Sequence, residues 1–244
     1  MDRVYIPKDK VAGGQAVVDG ESRDHLVKSL RVRVGDRFLA TDGEGRELLL
    51  ETTGMKPRTL EARVVEERRV APGIGRAITL ALCPPKGSRM ETAVEKCAEM
   101  GAGKIVPLLC TRSVVKTEED SARVERWRRI ARSAMVQSEQ CWSLEITAPR
   151  TMDALLDENG WAQLLLAHPA PDAMAIDVAL AASNGNSPVT LLVGPEGGFT
   201  DEEVNGARKK GARTVTLGAT RLRSETAAIV ALALALDSLR RNSR

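Results

Sequence analysis

The sequence predicts an α/β protein in two parts: a small β-barrel over residues 1–72 and a domain over residues 73–244 built on a mostly parallel sheet. Three observations lead there. Up to about residue 72, short β-like segments are broken by turn residues; from Arg76 onward, apolar strand-like runs alternate with helical stretches; and Ala71-Pro-Gly-Ile-Gly75 separates the two textures as a linker. A chain of 244 residues has room for two modest domains.

In the first part, strands are expected at Val4–Ile6, Gln15–Val18, Arg37–Thr41, Arg46–Glu51 and Leu60–Glu66. Asp42-Gly43 between two of them is a hairpin signal. Ser22–Leu30 is the one helical patch, with Leu26 and Leu30 at i,i+4 spacing. In the second part, Ala77–Cys83 begins as a strand. Ser88 and Glu91 form an S-x-x-E capping box opening a helix with Met90, Val94, Cys97 and Ala98 on one face, closed by Gly101. Strand Lys104–Leu109 follows, then a long helix with Val124, Trp127, Ile130, Ala131, Ala134 and Met135 on its stripe. Strand Gln163–Ala167, a helix over Ala173–Ala182 and strand Val189–Val193 come next. A second capping box, Thr200 to Glu203, starts a helix ending at Gly211. Strand Thr214–Leu217 and an Ala/Leu-rich helix complete the chain.

Composition narrows the function classes. Hydrophobic content of 43% and charged content of 28% are ordinary for a globular protein. Six aromatic residues (Tyr5, Phe38, Trp127, Trp142, Trp161, Phe199) are too few for broad base stacking. Net charge is only +3, but Asn205–Ser224 holds six basic residues and no acidic one. The run Arg123–Arg132 carries five positive charges against Glu125, which the solvated face of a helix explains. Cys83, Cys97, Cys110 and Cys141 form no C-x-x-C pair and have only His25 and His168 beside them, so reduced, buried thiols and no metal are expected. The first residues are charged, unlike a signal peptide, and the longest apolar run, Ala227–Leu236, is short of the roughly 20 residues a membrane span needs. A cytoplasmic protein is expected.

The chemistry is concentrated in two stretches, Leu191-Leu-Val-Gly-Pro-Glu-Gly-Gly-Phe-Thr200 and Leu217-Gly-Ala-Thr-Arg-Leu-Arg-Ser-Glu-Thr226. Each is a strand running into a loop that opens a helix, so both bare backbone at a strand end beside a helix N-terminus, a usual way to hold a small ligand. Glycines in Gly194-Pro-Glu-Gly-Gly198 permit close approach. No Lys-Ser/Thr follows them, and no G-x-G-x-x-G is present, so neither a phosphate loop nor a dinucleotide fingerprint accounts for them. Ser224 is placed to cap the last helix, its hydroxyl accepting a backbone N–H.

This pair of loops strongly resembles the C-terminal half of the SPOUT class of trefoil-knotted methyltransferases, specifically the RsmE family of 16S rRNA uridine-N3 methyltransferases. Glu95-Lys-Cys-Ala-Glu-Met-Gly101 and Thr111-Arg-Ser113 match it too, and His25-Leu-Val-Lys-Ser-Leu-Arg-Val-Arg-Val-Gly-Asp36 resembles its PUA-like domain. The chain departs from the family at Arg221, where Ile or Val is usual, at Gln140, where Arg is common, and at Leu144, where Pro is common.

The resemblance implies a PUA-like RNA-binding β-barrel on a knotted, S-adenosyl-L-methionine-binding domain, acting as a homodimer on uridine 1498 in the decoding region of 16S rRNA in the small ribosomal subunit. It implies cofactor contacts from Gly194, Pro195, Glu196, Gly197, Gly198, Leu217, Gly218, Leu222, Ser224 and Thr226, with Leu166 and His168 at a third strand end. A lone His is more often structural than catalytic. RNA contacts are implied for His25, Lys28, Arg31, Arg33, Arg112 and Arg221. Uracil N3 bears a proton, so a fixed cation beside a uracil carbonyl would favour the anion; Arg223 is the candidate, with Glu196 as base or as counter-charge to the sulfonium. A SPOUT enzyme acting on another RNA and a non-catalytic RNA-binding protein remain open on sequence alone.

Overall fold

The computed structural model describes residues 2–113, 122–158, 162–181, 183 and 187–243. The chain divides into two compact units. One comprises Met1–Pro72 with Arg132–Ser143; the other comprises Gly73–Ala131 with Leu144–Arg244.

The first unit holds β1 (Arg3–Tyr5), β2 (Val11–Ala12), β3 (Gln15–Val18), α1 (Gly20–Asp24), β4 (Arg37–Thr41), β5 (Arg46–Met55) and β6 (Leu60–Arg69). Among the described residues six strands pair in the order β1-β4-β5-β6-β3-β2, antiparallel except for β1 with β4. Strands far apart on this path, β1 through Val4 and β3 through Ala16 and Val18, feed the same apolar cluster as Phe38, Leu48, Leu50 and Leu60, so the sheet wraps around one core. At the β4–β5 turn the Asp42 carboxylate accepts from the N–H groups of Glu44 (2.8 Å) and Arg46 (3.2 Å), with Gly43 and Gly45 at positive φ. β5 and β6 run past the ends that hydropathy alone assigns. In β6, cross-strand ion pairs, among them the two-pronged Arg46–Glu67 contact (2.6 and 2.7 Å), let charged residues continue the ladder. The helical patch stops at Asp24 as α-helix and continues through Ser29 as a π-helical turn that buries Leu26.

Residues 132–143, which the sequence pattern assigns to the second domain, group with the first unit. Arg3 donates to the carbonyls of Glu139 (2.8 Å) and Gln140 (3.2 Å) and to Cys141 Sγ (3.0 Å), and Trp142 donates to the Val70 carbonyl at 2.9 Å. The N–H of Gly45 reaches the Cys141 carbonyl at 2.7 Å and that of Ser143 the Gly43 carbonyl at 2.8 Å. Beneath them Glu47, 5% exposed, pairs with Arg3 and Arg68. Burial pushes the Glu47 carboxyl up, but the guanidinium groups of Arg68 and Arg3 outweigh it and hold it below its ordinary value of 4.5. A depressed folded-state value stabilises the fold above the unfolded pKa, and that contribution is lost as pH falls through the folded value. Glu47→Gln, which leaves buried guanidinium charge uncompensated, is therefore expected to cost about 3–5 kcal/mol at pH 7. In urea unfolding the gap between variant and wild type should narrow as pH drops below 4.5; a gap independent of pH would show that the pair contributes nothing electrostatically.

The second unit contains β7 (Ile78–Leu82), α2 (Arg89–Glu99), β8 (Lys104–Leu109), α3 (Ala122–Gln137, its last residues counted with the first unit), β9 (Glu145–Ile146), β10 (Arg150–Thr151), α4 (Met152–Leu156), β11 (Gln163–Ala167), β12 (Met174–Ala175), α5 (Ile176–Leu180), β13 (Val189–Val193), α6 (Asp201–Lys209), β14 (Arg213–Thr216) and α7 (Ser224–Asn242). The sheet order is β10-β8-β7-β13-β11-β14-β12, with β9 also on β8, and every described pair is parallel. All five residues of β13 are buried, as a central strand covered on both faces requires.

Two local expectations change. Ser88 stands at the α2 N-cap but in near-helical geometry (ψ 0°), without a capping bond, and Glu91 instead pairs with Arg126 at 2.8 Å. Met174 and Ala175 join the sheet edge as β12, so the helix there is only Ile176–Leu180; its expected end, Ala182, lies outside the described residues. The two-residue strands β9, β10 and β12 are too short to carry a periodicity. The Thr200–Glu203 capping box is formed in full. All four cysteines are free and buried.

Candidate active site

Parallel pairing puts the C-terminal ends of neighbouring strands side by side. β13, β11 and β14 are neighbours and end at Val193, Ala167 and Thr216, and the chain leaving each of them lines one cavity of about 510 Å³, a volume suited to a small organic ligand. Gly194, Pro195, Glu196, Gly197 and Gly198 form one side. Leu217, Gly218, Arg221, Leu222 and Ser224 form another, His168 stands at the end of β11, and Arg112 reaches in after β8.

Three of the residues expected at the site do not line the cavity. Leu166 is fully buried in the core, and its neighbour Ala167 lines the cavity, because successive strand residues face opposite ways. Thr226 is exposed on the first turn of α7, where Ala227 takes the lining position. Arg223 is the exposed N-cap of α7, between the lining residues Leu222 and Ser224. Its guanidinium makes no hydrogen bond or ion pair among the described residues. Pro169, beside His168 at the third strand end, and Phe199 also line the cavity. His25, Lys28, Arg31 and Arg33 are exposed on the first unit, Lys28 paired with Asp24 at 2.8 Å and Arg31 at a positive φ of 56°.

The Gly194–Phe199 loop turns tightly, with the Gly198 N–H on the Pro195 carbonyl at 2.8 Å and Gly198 at φ +71°. A Cβ on Gly194 would stand 3.0 Å from the Phe199 ring, which would have to give by a few tenths of an ångström. Side chains from other segments then fasten the loop's carbonyls. Ser224 Oγ donates to Gly194 O (3.0 Å), Arg221 to Glu196 O (2.7 Å), and Arg112 to Gly197 O (2.9 Å) and Phe199 O (3.3 Å). Ser224 is thus the first helical residue and a donor between loops; the expected cap, a hydroxyl accepting a backbone N–H, is not formed, because Arg223 occupies the N-cap position. Glu203, beyond its capping role, also accepts from the Thr111 N–H at 2.7 Å and so holds the segment bearing Arg112.

Charge converges on the Glu196 side chain. Arg89, first residue of α2, donates to it at 3.1 Å and lies 4.0 Å from Glu225, whose second carboxylate oxygen is buried and has no hydrogen-bond partner among the described residues. Nothing in the sequence marks Arg89 as part of this cluster. Among the described residues no group of three or more His, Cys, Asp or Glu could hold a metal.

A parallel sheet whose strand-end loops converge on one cavity, joined to a small β-unit, defines a class, and comparison with known proteins specifies it. Residues 74–236 match the RNA methyltransferase domain family, and residues 18–65 match the RNA methyltransferase PUA domain. Ribosomal RNA small subunit methyltransferase E of Synechocystis is 31% identical over 95% of this chain and 76% of its own, and that of Mycobacterium bovis is 33% identical over 93% and 88%. A Legionella pneumophila structure in complex with the cofactor SAM superposes with a TM-score of 0.86 at 29% identity, covering 97% of both chains. Ribosomal RNA small subunit methyltransferase E from Neisseria gonorrhoeae, bound to S-adenosyl methionine, gives 0.80 at 26% identity, covering 96% of this chain and 95% of its own. The chain belongs to the RsmE family of ribosomal RNA small subunit methyltransferases.

Proposed function

We propose that this protein uses S-adenosyl-L-methionine to methylate N3 of uridine 1498, in the decoding region of 16S rRNA in the small ribosomal subunit. The observation that carries the reading is the single cavity built by loops 194–199 and 217–224 at the ends of β13 and β14, in a chain of this family. Its chemistry fits the ligand. Glycine backbone and the apolar side chains of Leu217 and Leu222 suit an adenine, while Glu196 in the lining suits a cation and Glu225, outside the lining, orients the loop. His168 and Ser224 complete the walls. The passage from β14 into α7 is read as the knotted return of the fold.

When bound, S-adenosylmethionine supplies a methyl group already activated on a sulfonium sulfur. The residues of the chain must then make uracil N3 nucleophilic. Arg89, Arg112 and Arg221 are committed to Glu196 and to loop carbonyls. Arg223, exposed and without a partner among the described residues, is left to meet a uracil carbonyl oxygen and favour the N3 anion. Glu196, paired with Arg89, serves as counter-charge or proton acceptor.

Residues 1–72 are the RNA-reading part and 73–244 the catalytic part, working as a homodimer in the cytoplasm; no helix among the described residues is long and apolar enough to cross a membrane. RNA contacts fall to His25, Lys28, Arg31 and Arg33, and to the guanidinium N–H groups that Arg112 and Arg221 do not spend on the loop. Reversing charge with the double variant Lys28→Glu, Arg33→Glu is expected to raise the KM for RNA at least tenfold, since each phosphate contact adds to affinity, and to leave S-adenosylmethionine affinity unchanged. An unchanged RNA KM would place recognition elsewhere. The activity itself is tested by incubating purified protein with small subunits and labelled S-adenosylmethionine. Label in 3-methyluridine is the expected result, and label in any other nucleoside overturns the assignment.

A further inference from the structure

The two loops that line the cavity leave strands that are not adjacent. β11 lies between β13 and β14, so their axes are about 10 Å apart at a spacing of ~4.8 Å per strand. Two side chains bridge that gap. Ser224 Oγ on Gly194 O is the inner bridge, with Ser224 4% exposed at the foot of α7. Arg221 on Glu196 O, at 2.7 Å, is the outer one, carried by an exposed residue. The bridges differ in kind. A short buried hydroxyl on a helix terminus has no room to swing away, whereas a long guanidinium stem in solvent can leave its acceptor and be hydrated at once. Arg112 meanwhile grips Gly197 O and Phe199 O from a third direction, so the Gly194–Phe199 loop keeps its shape whether or not Arg221 is engaged.

We propose that Arg221 is a latch across the mouth of this cavity: its side chain, closed onto the Glu196 carbonyl, holds the bound S-adenosylmethionine in place and sets how long it stays. The inference rests on the cofactor reading above. Arg221 here is a positioning residue that acts through the Glu196 backbone, and the cation it presents to that carbonyl is the part that matters. Arg221→Ile keeps bulk and removes the donors. Arg221→Gln keeps polarity and shortens the reach.

The test follows dissociation of S-adenosylmethionine, and separately of its demethylated thioether product, from the full-length protein without RNA, by stopped-flow competition. Both variants should release each ligand roughly tenfold faster than wild type, the loss of one hydrogen bond from a charged donor discounted for exposure. Association should be equal or faster, and thermal stability without ligand unchanged. Arg221→Lys, which retains a cationic donor, should recover part of the slow release. Absence of S-adenosylmethionine binding to the wild-type protein would defeat the cofactor reading itself. Binding by wild type with unchanged release from Arg221→Ile and Arg221→Gln would overturn the latch alone. So would an effect of Arg221 confined to the RNA KM and erased by salt, since it would make the residue a phosphate contact.

Discussion

Arg223→Ala is expected to cut the rate of methyl transfer roughly 10²–10³-fold, equivalent to about 2.7–4 kcal/mol, by analogy with loss of one oxyanion donor. The side chain stands at the N-cap of α7 with extended backbone (φ −70°, ψ 155°), makes no side-chain cap bond, and is exposed between two cavity-lining residues. Its removal therefore costs the helix little, while the backbone carbonyl that accepts from the Ala227 N–H at 2.8 Å is unaffected. Affinity for S-adenosylmethionine should change little, because the proposed site would meet that ligand mainly with backbone of the two loops. Arg223→Lys should recover only part of the rate, since an ammonium cannot reproduce the planar fork. The deficit should shrink as pH rises, because more of the uracil is then deprotonated without help. Arg221 is the internal control: it carries the same charge two residues away, but is tied to Glu196 O. Equal losses of transfer rate in Arg221→Ala and Arg223→Ala, both mimicked by added salt, would make Arg223 a phosphate contact.

Gly197→Val is expected to abolish S-adenosylmethionine binding while the protein stays folded. The Gly197 backbone lies outside the positive-φ region, so a side chain is conformationally allowed. A Cβ there would meet Arg112 Cβ and Cδ at 3.4 Å, a close but tolerable contact. Alanine should therefore bind within a few-fold of wild type. Valine adds two branches at the same point, with Arg112 held by its bonds to Gly197 O and Phe199 O on one side and the cavity on the other. The branches must displace either the arginine or the ligand. Calorimetry on the two variants decides it, and unchanged affinity in Gly197→Val would refute the placement of the site.

Much of the second unit could be read from the chain because buried parallel strands are continuous apolar runs with sharp ends. Lys104–Leu109, Gln163–Ala167 and Val189–Val193 need no tertiary information to be seen, and their parallel pairing follows from the alternation with helices. The glycine loops were equally visible, since positive φ and close packing leave few residue choices. What could not be read depends on partners distant in sequence. The return of residues 132–143 to the first unit rests on Arg3, whose bonds to Glu139, Gln140 and Cys141 span 136 to 138 positions. Arg89 meets Glu196 across 107 residues, and Arg112 meets Gly197 across 85. That Leu166 faces the core and Ala167 the cavity has a simpler reason: the parity of a short strand is undetermined until one of its faces is known to be covered. The preference of Ser224 for a loop carbonyl over the helix N–H groups likewise depends on how closely Gly194 approaches it.

Mapping 3-methyluridine in 16S rRNA from a strain lacking the gene is the decisive measurement for the proposed methylation of uridine N3. Loss of that modification at position 1498 alone is expected, restored by the wild-type gene and not by one encoding Arg223→Ala. Intact 3-methyluridine at that position in the deletion strain, or a loss of methylation at a different nucleotide, would contradict it.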